Sequence, residues 1–390
     1  MTQRFELLVL GGGPAALATA RSYREADGDG PVAIVTDEHR PPYQRPPLSK
    51  ELLRDESSES DLPIEDESWF AEQEIALVSG RAVALHPGTK TVSLSGGREL
   101  EYESCVLATG AEPTRLPIPG ADDPAVRVLR TLDQQRELKL RLVPGGAVVV
   151  IGSGFIGCEI AASLRIRGQR VTLITDEPAP NQRRLGDEAA EMIAGWLRDD
   201  GVVLHFGAKV ERIQHGAEGL EVISDEARAG GGVVVMATGV APRGELAAGA
   251  GITLQDGAVP VDAGMRTASP GVLAVGDVCL AENLAAGRRI KVEHWGDALG
   301  QGEIAGRTVA GKAAQWFDVP GFWSTIGRRT LKYAAWGDGY DTGHTVRHDD
   351  GGFTVWYGRE GKVVGVLTHE ADEDYERGGA MVGEGATWTW

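Results

Sequence analysis

Cysteine is scarce in this chain of 390 residues. The three cysteines, Cys105, Cys158 and Cys279, lie far apart, and no CxxC or CxxxxC pair occurs. This spacing excludes a redox disulfide between neighbouring cysteines and a clustered metal site, so we predict no bound metal. Widely spaced free cysteines suit a reducing compartment. Because the N-terminus does not resemble a signal peptide, we expect a cytoplasmic protein.

Long apolar runs and an excess of positive charge are also missing. No apolar stretch approaches the roughly 20 residues that a membrane-spanning helix needs, so we expect no membrane association. The formal net charge of −18 argues against a nucleic-acid partner, because phosphate binding requires a basic face. The length indicates two or three domains.

Two glycine-rich turns stand out among the features that are present. Gly11–Ala16 follows the apolar run Leu7–Leu10, and Gly152–Gly157 follows Val148–Ile151. In a strand–turn–helix setting, the first glycine permits the turn, the second admits a pyrophosphate, and the third allows close helix packing. Two such turns predict two bound dinucleotides. The expected contacts in the turns are Gly11, Gly13, Pro14, Ala15, Gly152, Gly154, Phe155, Ile156 and Gly157.

Each turn begins one half of an internal repeat. A βαβ unit is followed by short β segments and by a strand ending in Ala-Thr-Gly, at 108–110 and at 237–239. After residue 319 the pattern changes to aromatic-rich β segments, which indicates a separate domain. The predicted fold is α/β, with two Rossmann-like dinucleotide-binding domains and a C-terminal α+β domain.

A predicted buried strand ends in Gly276-Asp277 and carries the most specific signal. Ligands bind at the carboxyl edge of open α/β sheets, where Asp277 can accept hydrogen bonds from ligand hydroxyls. Gly276 lets backbone approach the ligand closely. Asp37 follows the second strand near the spacing at which an acid meets a ribose 2′-hydroxyl. The alternative for Asp37 is an exposed acid in a turn.

Together these motifs resemble the FAD-dependent pyridine-nucleotide oxidoreductases, most closely the ferredoxin (putidaredoxin and rubredoxin) reductases, to which apoptosis-inducing factor is related. The resemblance covers residues 4–370 and includes Arg-Pro-Pro-Leu-Ser-Lys at 45–50 and Val-Glu-His-Trp at 292–295. It implies an FAD-binding domain at 1–113 and 244–318. An inserted NAD(P)-binding domain is implied at 114–243, and a C-terminal interface domain at 319–390.

The resemblance also implies roles for single residues. The first turn would hold the FAD pyrophosphate, Asp37 or Glu38 the adenosine ribose, and Asp277 the ribityl chain. Arg45 and Lys50 would contact the flavin, where the Lys50 cation stabilises the anionic reduced form. Further implied cofactor contacts are Val83, Ala108, Thr109, Gly110, Arg130, Gly239, Gly276, Glu293, His294, Trp295 and Trp323.

Glu159 is implied to lie against the nicotinamide and could pair with Lys50. The alternatives are that Glu159 only stabilises a helix dipole, and that Lys50 is a solvated loop residue. Cys158 is expected to be a packed helix residue rather than a redox group.

The coenzyme choice follows from the strand end Thr175-Asp176-Glu177. Many NADH users carry Glu at the position of Thr175, and Asp176 could take over its role. Two acids would repel a 2′-phosphate, whereas Arg183 and Arg184 lie close enough in sequence to attract one. We therefore favour NADH over NADPH.

Without a CxxxxC pair, reduced flavin must deliver its electrons outward. The implied acceptor is an acidic iron–sulfur ferredoxin that feeds an oxygenase and docks beside Trp323. Basic residues would steer it; the candidates are Arg288, Arg289 and Lys291, and Arg328, Arg329 and Lys332. These charges could instead belong to solvated turns. The alternative functions are reduction of a quinone or oxygen, and NADH sensing by a flavin-binding protein.

The C-terminus departs from the family, whose members usually end in a helix. Gly378, Gly379, Gly383 and Gly385 make a long helix unfavourable by about 1 kcal/mol per glycine. Because a disordered tail would leave Trp388 and Trp390 unburied, we predict an ordered tail with at least one of them packed. In a bolder version, a terminal Trp covers the flavin or nicotinamide pocket.

Overall fold

Parallel strands followed by helices occur twice along the chain, and an antiparallel sheet follows them. The structure is a computed structural model that describes residues 3–217 and 219–390. Met1, Thr2 and Glu218 lie outside the described residues, and Met1 and Thr2 begin the N-terminal segment that does not resemble a signal peptide. The described residues form nine α-helices and 25 β-strands, numbered in chain order.

The elements up to residue 113 are β1 (Gln3–Leu10), α1 (Pro14–Glu25), β2 (Val32–Thr36), α2 (Glu67–Glu72), β3 (Ile75–Ser79), β4 (Ala82–His86), β5 (Thr91–Leu94), β6 (Glu99–Leu107) and β7 (Ala111–Pro113). Those of residues 126–242 are β8 (Val126–Arg127), α3 (Leu132–Arg141), β9 (Ala147–Ile151), α4 (Phe155–Ile166), β10 (Arg170–Ile174), α5 (Gln182–Leu185), α6 (Asp187–Asp199), β11 (Val203–His205), β12 (Val210–Gly216), β13 (Gly219–Ser224), β14 (Arg228–Gly231), β15 (Val233–Met236) and β16 (Val240–Pro242). The remaining elements are α7 (Glu245–Gly249), β17 (Val259–Val261), β18 (Val272–Ala274), β19 (Cys279–Asn283), β20 (Arg288–Ile290), α8 (Trp295–Val309), β21 (Gly321–Ile326), β22 (Arg329–Ala335), β23 (Thr342–Arg347), β24 (Phe353–Arg359), β25 (Lys362–His369) and α9 (Asp372–Glu384).

The residue contacts divide the chain into two units. Unit 1 consists of Met1–Gln44, Pro63–Glu112 and Ala241–Phe322. Unit 2 consists of Arg45–Leu62, Pro113–Val240 and Trp323–Trp390. The predicted division into three domains stays a prediction.

The main sheet of unit 1 has the strand order β3-β2-β1-β6-β5-β4, and β18 also pairs with β6. Strand β2 is buried throughout, as expected for a parallel strand covered on both faces. The parallel register pairs Leu10 with Val35 and Leu107, and Leu107 with Ala274. The carboxyl ends of β1, β2, β6 and β18 therefore meet at one edge of the sheet, here called the first edge.

Helix α1 follows the first glycine-rich turn and packs against α8 through small residues. A Cβ on Gly302 would lie 2.5 Å from the carbonyl oxygen of Ala15, and one on Gly306 would lie 2.4 Å from that of Thr19. Because no side chain tolerates such distances, these two glycines are what allow the helix backbones to approach closely.

Unit 2 contains a second parallel sheet, with the order β11-β10-β9-β15-β8. Its register pairs Ile151 with both Ile174 and Met236, and Ile174 with His205. The carboxyl ends of these strands form the second edge. Of the smaller sheets, β12-β13-β14 belongs to unit 2 and β17-β19-β20 to unit 1, and β16 pairs with β7.

The C-terminal sheet has the order β21-β22-β25-β24-β23, and α9 contacts β25. The expectation that glycines disfavour a helix here is wrong, because α9 spans 13 residues. A Cβ on Gly378 would lie 2.4 Å from Val366 Cγ1, so this glycine provides close packing. Gly385 ends the helix in the left-handed conformation (φ 62°), and the acidic residues Asp372–Asp374 complement the dipole of the first turn.

The last residues are ordered against this sheet, as predicted. The Trp388 amide donates to the Gly361 carbonyl at 2.9 Å. The Trp390 ring stacks on Trp356, with centroids 4.9 Å apart and planes inclined by 18°. That a terminal Trp covers a dinucleotide pocket stays a prediction. In the described part of the chain, no helix is long and apolar enough to cross a membrane.

Candidate functional site

The turn after β1 has room for a ligand at one position only. Gly11 has φ 136°, and a Cβ on it would lie 2.0 Å from the Ala108 carbonyl oxygen. A Cβ on Gly12 would lie 2.3 Å from Thr36 Oγ1. A Cβ on Gly13 would meet no atom within 4 Å. The protein's own packing thus requires Gly11 and Gly12, whereas the space over Gly13 is open, which fits a pyrophosphate at the start of α1.

The turn after β9 repeats this arrangement. Gly152 has φ 100°, and a Cβ on it would lie 2.4 Å from the Ala237 carbonyl oxygen. A Cβ on Gly157 would lie 2.2 Å from the Gly152 carbonyl oxygen, so the third glycine is fixed by helix packing. Gly154, the residue that caps α4, again has open space over its Cα. The second turn therefore also fits a dinucleotide.

The first edge carries a buried acid directly after β18. Asp277 is 7% exposed and follows Gly276, whose φ of 73° favours glycine. The Gly276 amide donates to Gln301 Oε1 on α8 at 2.8 Å, which fixes the turn. The predicted contact residues Ala108, Thr109 and Gly110 lie at the same edge, directly after β6.

The same tripeptide, Thr-Asp-Glu, occurs at both strand ends: it begins at Thr36, the last residue of β2, and at Thr175, directly after β10. Thr36 Oγ1 accepts a hydrogen bond from the Glu38 amide at 3.2 Å, and Thr175 Oγ1 accepts one from the Glu177 amide at the same distance. The two strand ends are therefore built alike. Glu38 also accepts a hydrogen bond from the Tyr43 hydroxyl at 2.6 Å, whereas the Asp37 side chain is exposed.

Thr175 is buried, and its hydroxyl accepts from Ser153 Oγ at 2.9 Å. The position at which many NADH users carry Glu is thus turned into the protein. Asp176 is exposed instead and pairs with Arg183 at 3.1 Å. Asp176, unlike Thr175, therefore presents a solvent-exposed carboxylate at the second edge.

Glu159 and Lys50 form a buried ion pair in unit 2. Lys50 Nζ lies 3.0 Å from Glu159 Oε2, and the two residues are 5% and 2% exposed. The predicted pairing is thereby found, and burial excludes the solvated-loop alternative for Lys50. Two hydroxyls complete the site: Ser49 Oγ donates to Oε2 at 2.5 Å, and Ser324 Oγ donates to Oε1 at 2.8 Å.

Three local structures position this pair. Glu159 lies in the second turn of α4, behind the open position at Gly154. Lys50 follows a 3₁₀ turn, Pro46–Ser49, in which the two prolines restrict the backbone. Ser324 belongs to β21, where alternation directs it inward and leaves the neighbouring Trp323 44% exposed.

The structure places the other predicted residues as follows. Arg45 Nη1 donates to the Arg130 carbonyl at 3.0 Å. His294 caps α8, and its Nδ1 lies 3.0 Å from Asp297 Oδ2. The remaining positions are Trp295 at the first residue of α8, Glu293 paired with Lys291 at 2.9 Å, Phe155 and the 49% exposed Ile156 at the start of α4, Pro14 and Ala15 at the start of α1, Gly239 after β15, and Val83, 56% exposed, on β4. Their roles stay predictions.

The basic residues of the proposed docking clusters have partners nearby. Arg328 lies 3.2 Å from Glu56, Arg329 lies 3.2 Å from Asp200, and Lys332 lies 2.8 Å from Asp372. Arg289 Nε donates to the Val261 carbonyl at 3.3 Å, and Arg288 is half-buried on β20. The side chain of Arg328 is 75% exposed, compared with 30% for Arg329 and 36% for Lys332.

All three cysteines are free and buried. Burial raises the pKa of the Cys105, Cys158 and Cys279 thiols well above the usual range, so they remain protonated and unreactive. Cys158 is thus a packed residue, as expected. Residues 3–217 and 219–390 contain no group of His, Cys, Asp or Glu that could hold a metal ion.

Ser49 and Ser324 were not predicted from the sequence to be parts of the site. Ser49 is part of the Arg-Pro-Pro-Leu-Ser-Lys motif, but no role was assigned to it. Strand alternation after Trp323 would have placed Ser324 on the opposite, inward face.

Comparisons with known proteins agree with this architecture. The family model described as "Pyridine nucleotide-disulphide oxidoreductase" matches residues 5–302. The "Rubredoxin-NAD(+) reductase" of Pseudomonas putida is 32% identical over 84% of this chain and 85% of its own length. The "Anthranilate 1,2-dioxygenase system ferredoxin--NAD(+) reductase component" of Burkholderia cepacia is 33% identical over 97% of this chain and 94% of its own.

A solved structure, the covalent putidaredoxin reductase–putidaredoxin complex, matches with a TM-score of 0.92 and 26% identity. The match covers 98% of this chain and 93% of that one. It confirms the predicted fold class and the predicted resemblance. The chain belongs to the pyridine nucleotide-disulphide oxidoreductase family.

Proposed function

We propose that this protein is an FAD-dependent NAD(P)H:ferredoxin oxidoreductase. Bound FAD would take up a hydride equivalent from NAD(P)H and release two electrons, one at a time, to an iron–sulfur ferredoxin that feeds an oxygenase. The observation that carries the proposal is the buried Lys50–Glu159 pair, located behind one of two glycine turns that each leave a single position open. The named relatives, reductases of rubredoxin or a ferredoxin, support this function.

The first edge is proposed to bind FAD. Gly11 shapes the turn, the open Gly13 admits the pyrophosphate, and Asp37 or Glu38 holds the adenosine ribose. Asp277 is buried at the end of β18, where it can accept hydrogen bonds from the ribityl hydroxyls. The second edge, with Gly152 and Gly154, is proposed to bind the nicotinamide coenzyme.

Lys50 and Glu159 are proposed to act at the transfer of hydride. A cation in a buried site stabilises negative charge on the reduced flavin more strongly than it would in water. Glu159 would orient the nicotinamide, a contribution of positioning. Because the pair is charge-balanced, neither ion lacks a counter-charge before the coenzyme binds.

NADH is the proposed coenzyme. Asp176 is exposed at the end of β10 and can bind the two ribose hydroxyls, whereas its charge and that of Glu177 oppose a 2′-phosphate. Arg183 lies against Asp176, so part of its charge is already compensated.

The exposed Trp323 is proposed as the exit point for electrons. An acidic ferredoxin would dock beside it, steered by Arg288, Arg289, Arg328 and Arg329. Neighbouring acids reduce the net positive charge of the last two, so we expect steering to be modest. The free thiols fit a reducing compartment, and we propose the cytoplasm.

Anaerobic titration tests this function. The purified protein should be yellow, and one equivalent of NADH should bleach the flavin absorbance. Addition of an oxidised iron–sulfur ferredoxin should then restore the yellow colour within a catalytic turnover time. Reoxidation by quinone or oxygen but by no ferredoxin would contradict the proposal, and so would a long-lived NADH complex without turnover.

A further inference from the structure

The carboxylate of Glu159 is held at both oxygens. Lys50 and Ser49 bind Oε2, and Ser324 binds Oε1. Ser49 and Ser324 are 4% and 1% exposed, so no solvent competes for these hydrogen bonds. We call these two serines the hydroxyl clamp.

Lys50 alone could not fix the orientation of this carboxylate. The terminal torsion of a glutamate side chain is broad, because it joins an sp³ carbon to an sp² carbon. A single cation at Oε2 leaves rotation about that bond largely free. A second donor at Oε1 fixes the plane of the carboxylate, and Ser324 is that donor.

Each hydroxyl is held by a separate rigid element. Ser49 belongs to the Pro46–Ser49 turn, and its carbonyl accepts from Ser163 Oγ at 2.7 Å. Ser163 lies one helical turn after Glu159 on α4, so this turn and the helix are joined on one face. Ser324 is fixed by β21 from the C-terminal sheet. The clamp therefore joins α4, the 3₁₀ turn and the sheet at one carboxylate.

We propose that the hydroxyl clamp positions Glu159 for hydride transfer, so that Ser49 and Ser324 are positioning residues of the reaction. This inference rests on the proposed function, because it needs Glu159 to orient the nicotinamide. The clamp acts on the orientation of the carboxylate, because its two hydroxyls donate to different oxygens of Glu159. Its loss should affect the rate of reduction more than it affects coenzyme binding.

Rapid mixing of the holoenzyme with NADH tests the clamp. In Ser324→Ala the limiting rate of flavin reduction should fall about tenfold, with FAD content unchanged and the Kd for NADH changed far less. Ser49→Ala should act in the same direction. Ser324→Thr keeps a hydroxyl and should restore much of the rate. Thr325→Val is the matched control, because it removes a hydroxyl of the same strand that contacts Thr330 instead.

A double-mutant cycle distinguishes positioning from a general structural effect. If Ser324 acts through Glu159, Ser324→Ala should add no further slowing to Glu159→Ala. Additive slowing, or a wild-type rate in both serine variants, would overturn the clamp. Slow reduction in Glu159→Ala together with wild-type rates in the serine variants would leave the proposed function standing and remove only the clamp. A wild-type rate in Glu159→Ala would overturn both the clamp and the proposed role of Glu159.

Discussion

The two glycine turns are built alike but lead into different helices. In each, the first glycine faces a backbone carbonyl, that of Ala108 or Ala237. Two residues later, Gly13 and Gly154 have open space over their Cα atoms. Seven residues after the first glycine, α1 has the buried Ala18, whereas α4 has Glu159.

This difference indicates different roles for the two turns. On α1, Ala18 packs against Gly302 of α8, and a Cβ added to Gly302 would lie only 2.8 Å from Ala18 Cβ. This packing leaves no room at position 18 for a larger, functional side chain. Unit 1 instead contributes the buried Asp277 to the first edge. On α4 the same position carries Glu159, whose carboxylate oxygen Oε2 lies 3.0 Å from Lys50 Nζ. We infer that the first turn retains its dinucleotide and that the second exchanges one next to reactive groups.

Asp277→Ala should show the largest effect. It removes the buried carboxylate of the first edge, so most of the FAD should be lost during gel filtration. The measurement is flavin absorbance per protein, with flavin released by acid. Asp27→Ala, at a side chain 88% exposed, should retain its flavin. Equal flavin content in both variants would contradict the assignment of the first edge.

Lys50→Met should have the next largest effect. It leaves Glu159 buried without a cation, which should lower the free energy of unfolding by about 3–5 kcal/mol and slow flavin reduction. Lys139→Met breaks the pair with Asp55, whose side chain is half exposed, and should cost about 1 kcal/mol or less. Denaturant unfolding of the holoenzymes measures both. Similar losses of unfolding free energy in both variants would contradict the expectation that burial makes the Lys50–Glu159 pair more important for stability than the exposed pair.

The family resemblance implied the Lys50–Glu159 pair, and sequence patterns located the turns and Gly276-Asp277, because each follows a predicted strand. They could not show that Ser324 reaches Glu159 from β21, since that contact depends on tertiary packing across 165 residues. Glycine counting also failed at α9, where Gly378 favours the helix by admitting Val366. Intrinsic helix propensity predicts a helix poorly where close tertiary packing determines the backbone conformation.

Asp176→Ala should change coenzyme choice by a moderate factor. It removes the acid that is proposed to face the ribose, and it releases Arg183 to attract a 2′-phosphate. The ratio of kcat/KM for NADH to that for NADPH should fall about tenfold, a difference of about 1.4 kcal/mol. Arg183→Ala keeps Asp176 and should preserve or raise the ratio. An unchanged ratio in Asp176→Ala would place the ribose elsewhere.

Arg328→Glu should have the smallest effect. At low salt, ferredoxin-dependent turnover should fall about threefold while NADH–ferricyanide activity stays constant. The difference should shrink as salt rises, because the Debye length is only about 8 Å at physiological ionic strength. Arg198→Glu, an exposed arginine paired with Glu191, is the control. Equal effects of both reversals would argue against steering at Arg328.

The contrast between the two turns is tested most directly by Gly13→Val and Gly154→Val. Both positions have open space, so neither substitution should disturb the fold, and each should fill only the approach of its own pyrophosphate. We predict that Gly13→Val is purified without flavin. Gly154→Val should be yellow and reducible by dithionite but not by NADH. The reverse pattern, or NADH reduction of Gly154→Val at the wild-type rate, would contradict the account.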